Sequence, residues 1–196
     1  MFGWNSHDAA TEPRTAEPSG AAEGSDAPLE AGFLAGTYVA TDTGWRAVEL
    51  LAVGDLVMTF DNDLQPITNL SRRTVWQRGQ DIPQREWPLL VPVGVFDNGY
   101  DMLVLPGQGL MVESDWGQMA YGDPFIIVPV HALEGVRGIA RQRPQRSMEV
   151  ITLELEQDNL VYAEGGALMH CAAQGSASGA MLAPRQAAFA ARSLSA

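Results

Sequence analysis

The sequence predicts an all-β domain over residues 32–172, preceded by a flexible acidic tail over 1–31 and followed by a linker and a short helix over 173–196. Three observations carry this. Short apolar runs of five to eight residues recur along the middle of the chain, and Gly/Asp/Asn turn signals separate them. Many short strands at close spacing are the pattern of an all-β domain. The first 31 residues carry almost nothing bulky between Trp4 and Leu29, and their charge is −5, six acids against Arg14. Such a segment buries too little apolar surface to offset its ordering entropy. No 3.6-residue periodicity runs through the middle region, and no repeat of 20 to 50 residues is present.

The expected strands, in order, are "TYVAT", "LVMTF", "LLVPVGVF", "DMLVLP", "FIIVPV" and "EVITLEL". Each is β-branched or Leu-rich, as a half-buried pleated surface favours. The turns "TDTG", "FDND", "FDNG" and "AEGG" punctuate them. "VHALEG" reads as a single helical turn. After the small-residue linker "AQGSASG", the segment "MLAPRQAAFAARSLSA" reads as a helix, with Pro184 in its first turn. Arg185, Phe189 and Arg192 fall on one face of it at i, i+4 and i+7. Leu51, Val57, Leu103, Val104, Ile127, Leu153 and Leu155 are the core expected of these strands.

With 196 residues, 46% of them hydrophobic, the chain is long enough for one domain with a substantial core. A net charge of −12 argues against nucleic-acid binding and against docking on anionic membranes. The single cysteine, Cys171, allows no intrachain disulfide. No apolar run is long enough to span a membrane, and "MFGWNSHDAATEPR" lacks the pattern of a secretory signal, so a cytoplasmic protein is expected. Export without a cleaved signal stays open.

Within "GTYVATDTGWRAVELLAVGDLVMTFDNDLQPI", Gly36 to Ile67, a Gly-Thr turn and two strands lead into Leu51-x-x-Gly54-Asp55-x-Val57. Taken alone, Gly54-Asp55 between two apolar runs is a turn, and the segment is a hairpin that other β-domains could hold. The segment also resembles the Hint domain, the fold of hedgehog autoprocessing domains and inteins, and in particular the bacterial hedgehog/intein-type domains of alphaproteobacteria. "DMLVLPGQGLMV", "VPVHALEGVRGI" and "LELEQDNLVYAEG" follow in the order the resemblance requires. It implies a horseshoe of short strands with pseudo-two-fold symmetry, and a self-cleaving chemistry at its N-terminal end.

The resemblance also implies that the machinery is degenerate. The nucleophile precedes the Phe-x-x-Gly-Thr stretch, here Phe33 to Thr37, and so falls on Gly32. Acyl transfer cannot begin there without an activatable Oγ or Sγ. The histidine that polarises the scissile amide falls on Gln108 of Leu105-Pro106-Gly107-Gln108-Gly109, and an amide is neither acid nor base near neutral pH. A further histidine position falls on Asp158, followed by Asn159. At the C-terminal junction stand His170 and Cys171, without the asparagine whose cyclisation releases an intein. Cys171 reads as a small buried hydrophobe rather than a reactive thiol, and His131 as a structural residue.

Other motifs are weaker. Asp61 to Asp63 lacks the glycine and distal glutamate of an EF-hand loop, so it reads as a turn. Arg137 to Arg146 holds four of the nine arginines of residues 32–172; a solvated loop is the ordinary reading and an acidic partner surface the other. No metal site and no cofactor are expected. The expectation is a non-catalytic accessory or structural subunit of a protein assembly, of unknown oligomeric state. Its docking groups would be Phe2, Trp4, Arg185, Phe189 and Arg192, since tethered aromatics suit a partner's pockets. Two alternatives stand beside it: residual autoproteolysis with an unorthodox nucleophile, and an exported adhesin-like surface module.

Overall fold

The structure is a computed structural model that describes residues 30–77, 81–173 and 182–194. It contains fourteen strands and two α-helices among those residues. The strands of the first half are β1 (Phe33–Leu34), β2 (Tyr38–Thr41), β3 (Gly44–Ala47), β4 (Leu56–Met58), β5 (Leu64–Pro66), β6 (Asn69–Val75) and β7 (Leu89–Val91). Then come β8 (Met102–Val104), β9 (Gly109–Glu113), helix α1 (Asp115–Tyr121), β10 (Phe125–Pro129) and β11 (Ala140–Arg141). The chain closes with β12 (Met148–Glu154), β13 (Asn159–Ala163), β14 (Ala167–Cys171) and helix α2 (Pro184–Ser193). The expected all-β domain is what forms. "VHALEG" does make a turn of 3-10 helix, Val130–Leu133.

One large sheet runs in the order β10-β9-β14-β13-β2-β4-β5, with β3 paired to β2. A second, β1-β12-β6, and a third, β11-β7-β8, have three strands each. Every named strand pair is antiparallel. The expected hairpin turn at Gly54-Asp55 is present: Gly54 has φ +93°, which a residue with a Cβ rarely adopts. Asp55 Oδ2 accepts from the Ala52 amide at 3.1 Å and from Arg46 at 2.9 Å, pinning the turn to β3. Asp61 to Asp63 is also a turn, closed by Thr59 Oγ1 donating to the Asp63 carbonyl at 2.8 Å.

One main hydrophobic core joins the three sheets, and a smaller cluster of Leu34, Trp76, Leu105 and Val150 lies under β1. Five of the seven expected core residues are fully buried: Leu51, Val57, Val104, Leu153 and Leu155. Leu103 and Ile127 are only half-buried. Each sits between two buried neighbours, Met102 and Val104 in one case, Ile126 and Val128 in the other. Alternate residues of a strand face opposite sides, so the expected register is off by one at Ile127, while at Leu103–Val104 only the second of two adjacent residues can face the core.

The C-terminal helix packs on the domain. Ala187, Ala190 and Ala191 of α2 belong to the main core. Small residues let the helix backbone approach the sheet closely, and Ser193 Oγ lies 2.9 Å from Ser114 Oγ at the start of α1. Arg192 is exposed. The side chains of Arg185 and Phe189, and all of Phe2 and Trp4, lie outside the described residues.

Candidate functional site

Residues 30–32 approach the domain along the second sheet and turn into β1, where Phe33 pairs with Ile151 and Leu34 with Val150. Every step of that approach is held. The Gly107 amide donates to the Glu30 carbonyl at 2.8 Å. Arg73, on β6, pairs with the Glu30 carboxylate and donates to the Ala31 carbonyl at 3.3 Å. The Gly32 amide donates to Gln108 Oε1 at 2.9 Å.

Gln108 is the centre of this arrangement. It is 2% exposed, and its Nε2 donates to the His170 carbonyl at 2.8 Å and to the Gly109 carbonyl at 3.1 Å. The assignment of its oxygen and nitrogen follows from the partners: one donor and two acceptors surround the amide, and a flipped group would oppose like to like. The loop that carries it is pinned from behind. Val130 donates its amide to the Gln108 carbonyl at 2.9 Å, and His131 bonds the Pro106 carbonyl through its amide at 3.0 Å and its Nδ1 at 2.9 Å. His131 thus supports the loop, as expected of a structural residue.

The space beside Gly32 is closed. Its φ is +124°, and a Cβ there would meet Val150 Cγ1 at 2.9 Å, the Ile151 carbonyl at 3.1 Å and Thr152 Oγ1 at 3.1 Å. A side chain at this position therefore requires both a strained backbone and displaced β12 atoms. The polarity of the Gln108 contact matters as much. An acyl shift at Ala31–Gly32 needs the Gly32 nitrogen to gain a proton as it leaves. Gln108 accepts from that nitrogen instead, which favours the planar amide.

The structure also brings Asp158 and His170 together. His170 Nε2 lies 3.9 Å from Asp158 Oδ2, while Asp158 Oδ1 accepts from the Ala173 amide at 2.6 Å. The imidazole is 7% exposed, and Nε2 has no hydrogen-bond partner among the described residues. Burial lowers its pKa below 6.5, an effect the Asp158 carboxylate partly offsets. Cys171, next in the strand, is buried in the main core with Met169. Neighbours on a strand face opposite sides, so thiol and imidazole do not face each other. Burial pushes the thiol up to about 12, so the thiolate is not formed near neutral pH.

Of the sequence-expected positions, Gly32, Gln108 and the backbone of His170 meet in one hydrogen-bonded chain, Asp158 joins through His170, and Cys171 stays apart. Arg73 was not foreseen. It lies on β6, "NLSRRTV", and among the described residues its guanidinium is the side-chain donor to the Ala31 carbonyl. The Arg137–Arg146 region is partly committed inside the domain. Arg141 donates to Glu134 at 2.8 Å and to the Arg85 carbonyl at 2.7 Å, and Arg143 stacks 5.9 Å above the Trp87 ring. Among the described residues no group of three or more His, Cys, Asp and Glu side chains converges to hold a metal ion. None of the described helices is long and apolar enough to cross a membrane.

Comparison with known proteins gives this antiparallel β-domain its class. The chain belongs to the Hint domain family, which residues 31–169 match. Among solved structures it is similar to a bacterial intein-like domain from Clostridium thermocellum, at 14% identity and TM-score 0.49, covering 72% of this chain and 99% of that one. It is also similar to a splice-inactive variant of the AceL NrdHF class 3 split intein, at 16% identity and TM-score 0.48, covering 74% and 99%. The gp41-1 intein is similar at 14% identity and TM-score 0.44, covering 72% and 99%. Comparison with curated proteins returns no match.

Proposed function

We propose that this Hint domain performs no self-cleavage and serves as an accessory or structural subunit within a larger protein assembly. The observation that carries the reading is the closed junction: Gly32 offers no nucleophile, its surroundings admit no Cβ, and Gln108 accepts from the nitrogen that would have to leave. The oxyanion side of such a reaction keeps a donor in Arg73, but a donor without a nucleophile initiates nothing. Cys171 does not replace the nucleophile, because it is buried on the other face of β14 and its thiol is held protonated.

The test is intact mass after prolonged incubation with hydroxylamine or a thiol. The expected result is the full-length mass, and specific cleavage at Ala31–Gly32 overturns the reading. The assembly half of the proposal rests on the acidic segment that carries Phe2 and Trp4. Trp4→Ala and deletion of residues 1–28 are expected to release the protein from its native complex at an unchanged melting temperature. Co-purification of both variants at the wild-type level would remove that support.

A further inference from the structure

On the β2–β3 hairpin, with a lining that includes neither Gln108 nor His170, lies a cleft of about 850 Å³. Tyr38, Trp45 and Tyr100 line it and are 49%, 46% and 72% exposed. Large aromatic side chains left this open, three to one cleft, call for an explanation. The strand register explains two of them. Trp45 pairs with Ala40 and Tyr38 with Ala47, so the two rings stand on a cross-strand diagonal with alanines as their direct partners. Diagonal neighbours stand about 7–8 Å apart, enough to flank a small group without stacking on each other.

The charged side chains of the cleft are Asp101 and Glu164. Glu164 is 7% exposed, and its Oε1 accepts from the Tyr38 amide at 2.9 Å. Asp101 Oδ1 accepts from the Val93 amide at 2.8 Å. Both carboxylates are thus fixed in place. The floor is built to be close-fitting, since Gly99 donates its amide to the Glu164 carbonyl and a Cβ on Gly165 would meet the Gly99 nitrogen at 3.1 Å. No Arg, Lys, His, Asn or Gln is among the described residues that line it. Burial without a countercharge also raises the Glu164 pKa.

We infer that this cleft binds an alkylated organic cation, a quaternary ammonium group or its equivalent on a methylated lysine. Aromatic faces attract such a cation and accommodate its alkyl groups, and two fixed carboxylates supply the countercharge. A sugar could stack on the same rings and donate to the same carboxylates, but it would gain nothing from their charge, so a neutral isostere of the cation separates the two cases. The inference does not depend on the accessory role proposed above.

Isothermal titration calorimetry of the full chain tests it, with choline, with a trimethyllysine peptide and its unmodified lysine twin, and with 3,3-dimethylbutanol, the neutral isostere of choline. Saturable binding of choline, with the isostere weaker by about tenfold or more, is expected; tenfold corresponds to ~1.4 kcal/mol, within the range of a desolvated cation–π contact. A trimethyllysine peptide that binds more tightly than choline identifies a protein-borne ligand, and the reverse identifies a free one. Trp45→Ala should weaken binding about tenfold. Glu164→Gln can still accept from Tyr38 and removes only the charge, and it should weaken the cations without affecting the isostere. Absence of saturable binding by both cations, equal binding of the isostere, or wild-type affinity in a folded Trp45→Ala variant overturns the inference.

Discussion

The Gly32–Gln108 junction and the Tyr38–Trp45–Tyr100 cleft are reached within a dozen residues of chain, yet they treat polar groups in opposite ways. At the junction the buried Gln108 side chain makes three hydrogen bonds, and beside Gly32 there is no room for one added carbon. At the cleft three exposed aromatic side chains and two carboxylates share one surface, with no basic side chain among the described residues that line it. The first is a finished structural joint; the second has the open, charge-imbalanced character of a place where something binds. In this chain the region that bears the family's chemistry is therefore the more rigidly filled one.

The largest expected effect breaks the joint. Gln108→Leu would strand the Gly32 amide and the His170 and Gly109 carbonyls in a dry site. At ~1–3 kcal/mol for each of the three orphaned groups, the loss should be about 3 kcal/mol or more. Chemical denaturation measures it, and a loss below about 1 kcal/mol would show that water or rearrangement replaces the amide. Next in size is Gly32→Cys, which restores a nucleophile type but adds a clashing Cβ at φ +124°. It should cost about 2–3 kcal/mol and produce no thioester; hydroxylamine cleavage of this variant would show that the junction is only one residue from activity.

Two smaller effects distinguish the regions by pH. His170 is held neutral by burial, so its folded pKa lies below 6.5. The stability tied to this is present above pH 6.5 and is lost as pH falls through the lowered folded value, because the unfolded chain takes up the proton first. Thermal melts from pH 7.5 downward should show this loss, and His170→Gln should flatten it. Glu164 has the opposite sign. Its folded pKa is raised above 4.5, so its contribution is present below that pH and is lost as pH rises through the raised value. Glu164→Gln should therefore melt slightly higher than wild type at neutral pH, with the gap closing in acid. A lower melting temperature at neutral pH would mean that the cleft carboxylate is structurally indispensable.

Much of the fold was legible because apolar alternation and turn residues recur in order. "YVAT", "LVM", "MLV" and "FIIVP" each became strands, and Gly54 turned where a glycine was required. The strands not named in advance fall into two kinds: β13 and β14 are buried at nearly every position and so lack polar alternation, whereas others are largely polar. β6 is "NLSRRTV", a polar strand whose place is set by seven paired residues of β12 rather than by its own composition. α1 is only seven residues long, too short for periodicity to show. At the junction the motif located Gly32 and Gln108, because those residues replace recognisable ones. Arg73 left no such trace, since its partners, Glu30 and Ala31, lie more than forty positions away. The cleft was invisible for a related reason: Trp45, Tyr100 and Glu164 are ordinary residues individually, and only β2–β3 pairing and the packing of two glycine turns bring them together.

The holding of residues 30–32 has a mechanical consequence. Traction on the chain ahead of Glu30 does not arrive at a single weak bond. It divides among Arg73, the Gly107 amide and Gln108 within three residues, and Gln108 passes part of it to β14 in the large sheet. Behind them β1 is bonded to β12, whose far side is bonded along its length to β6. A pull from the N-terminal side is thus distributed across two sheets before β1 can peel away. The same contacts make residues 30–32 an anchorage, a place where load on the chain is spread before it reaches β1.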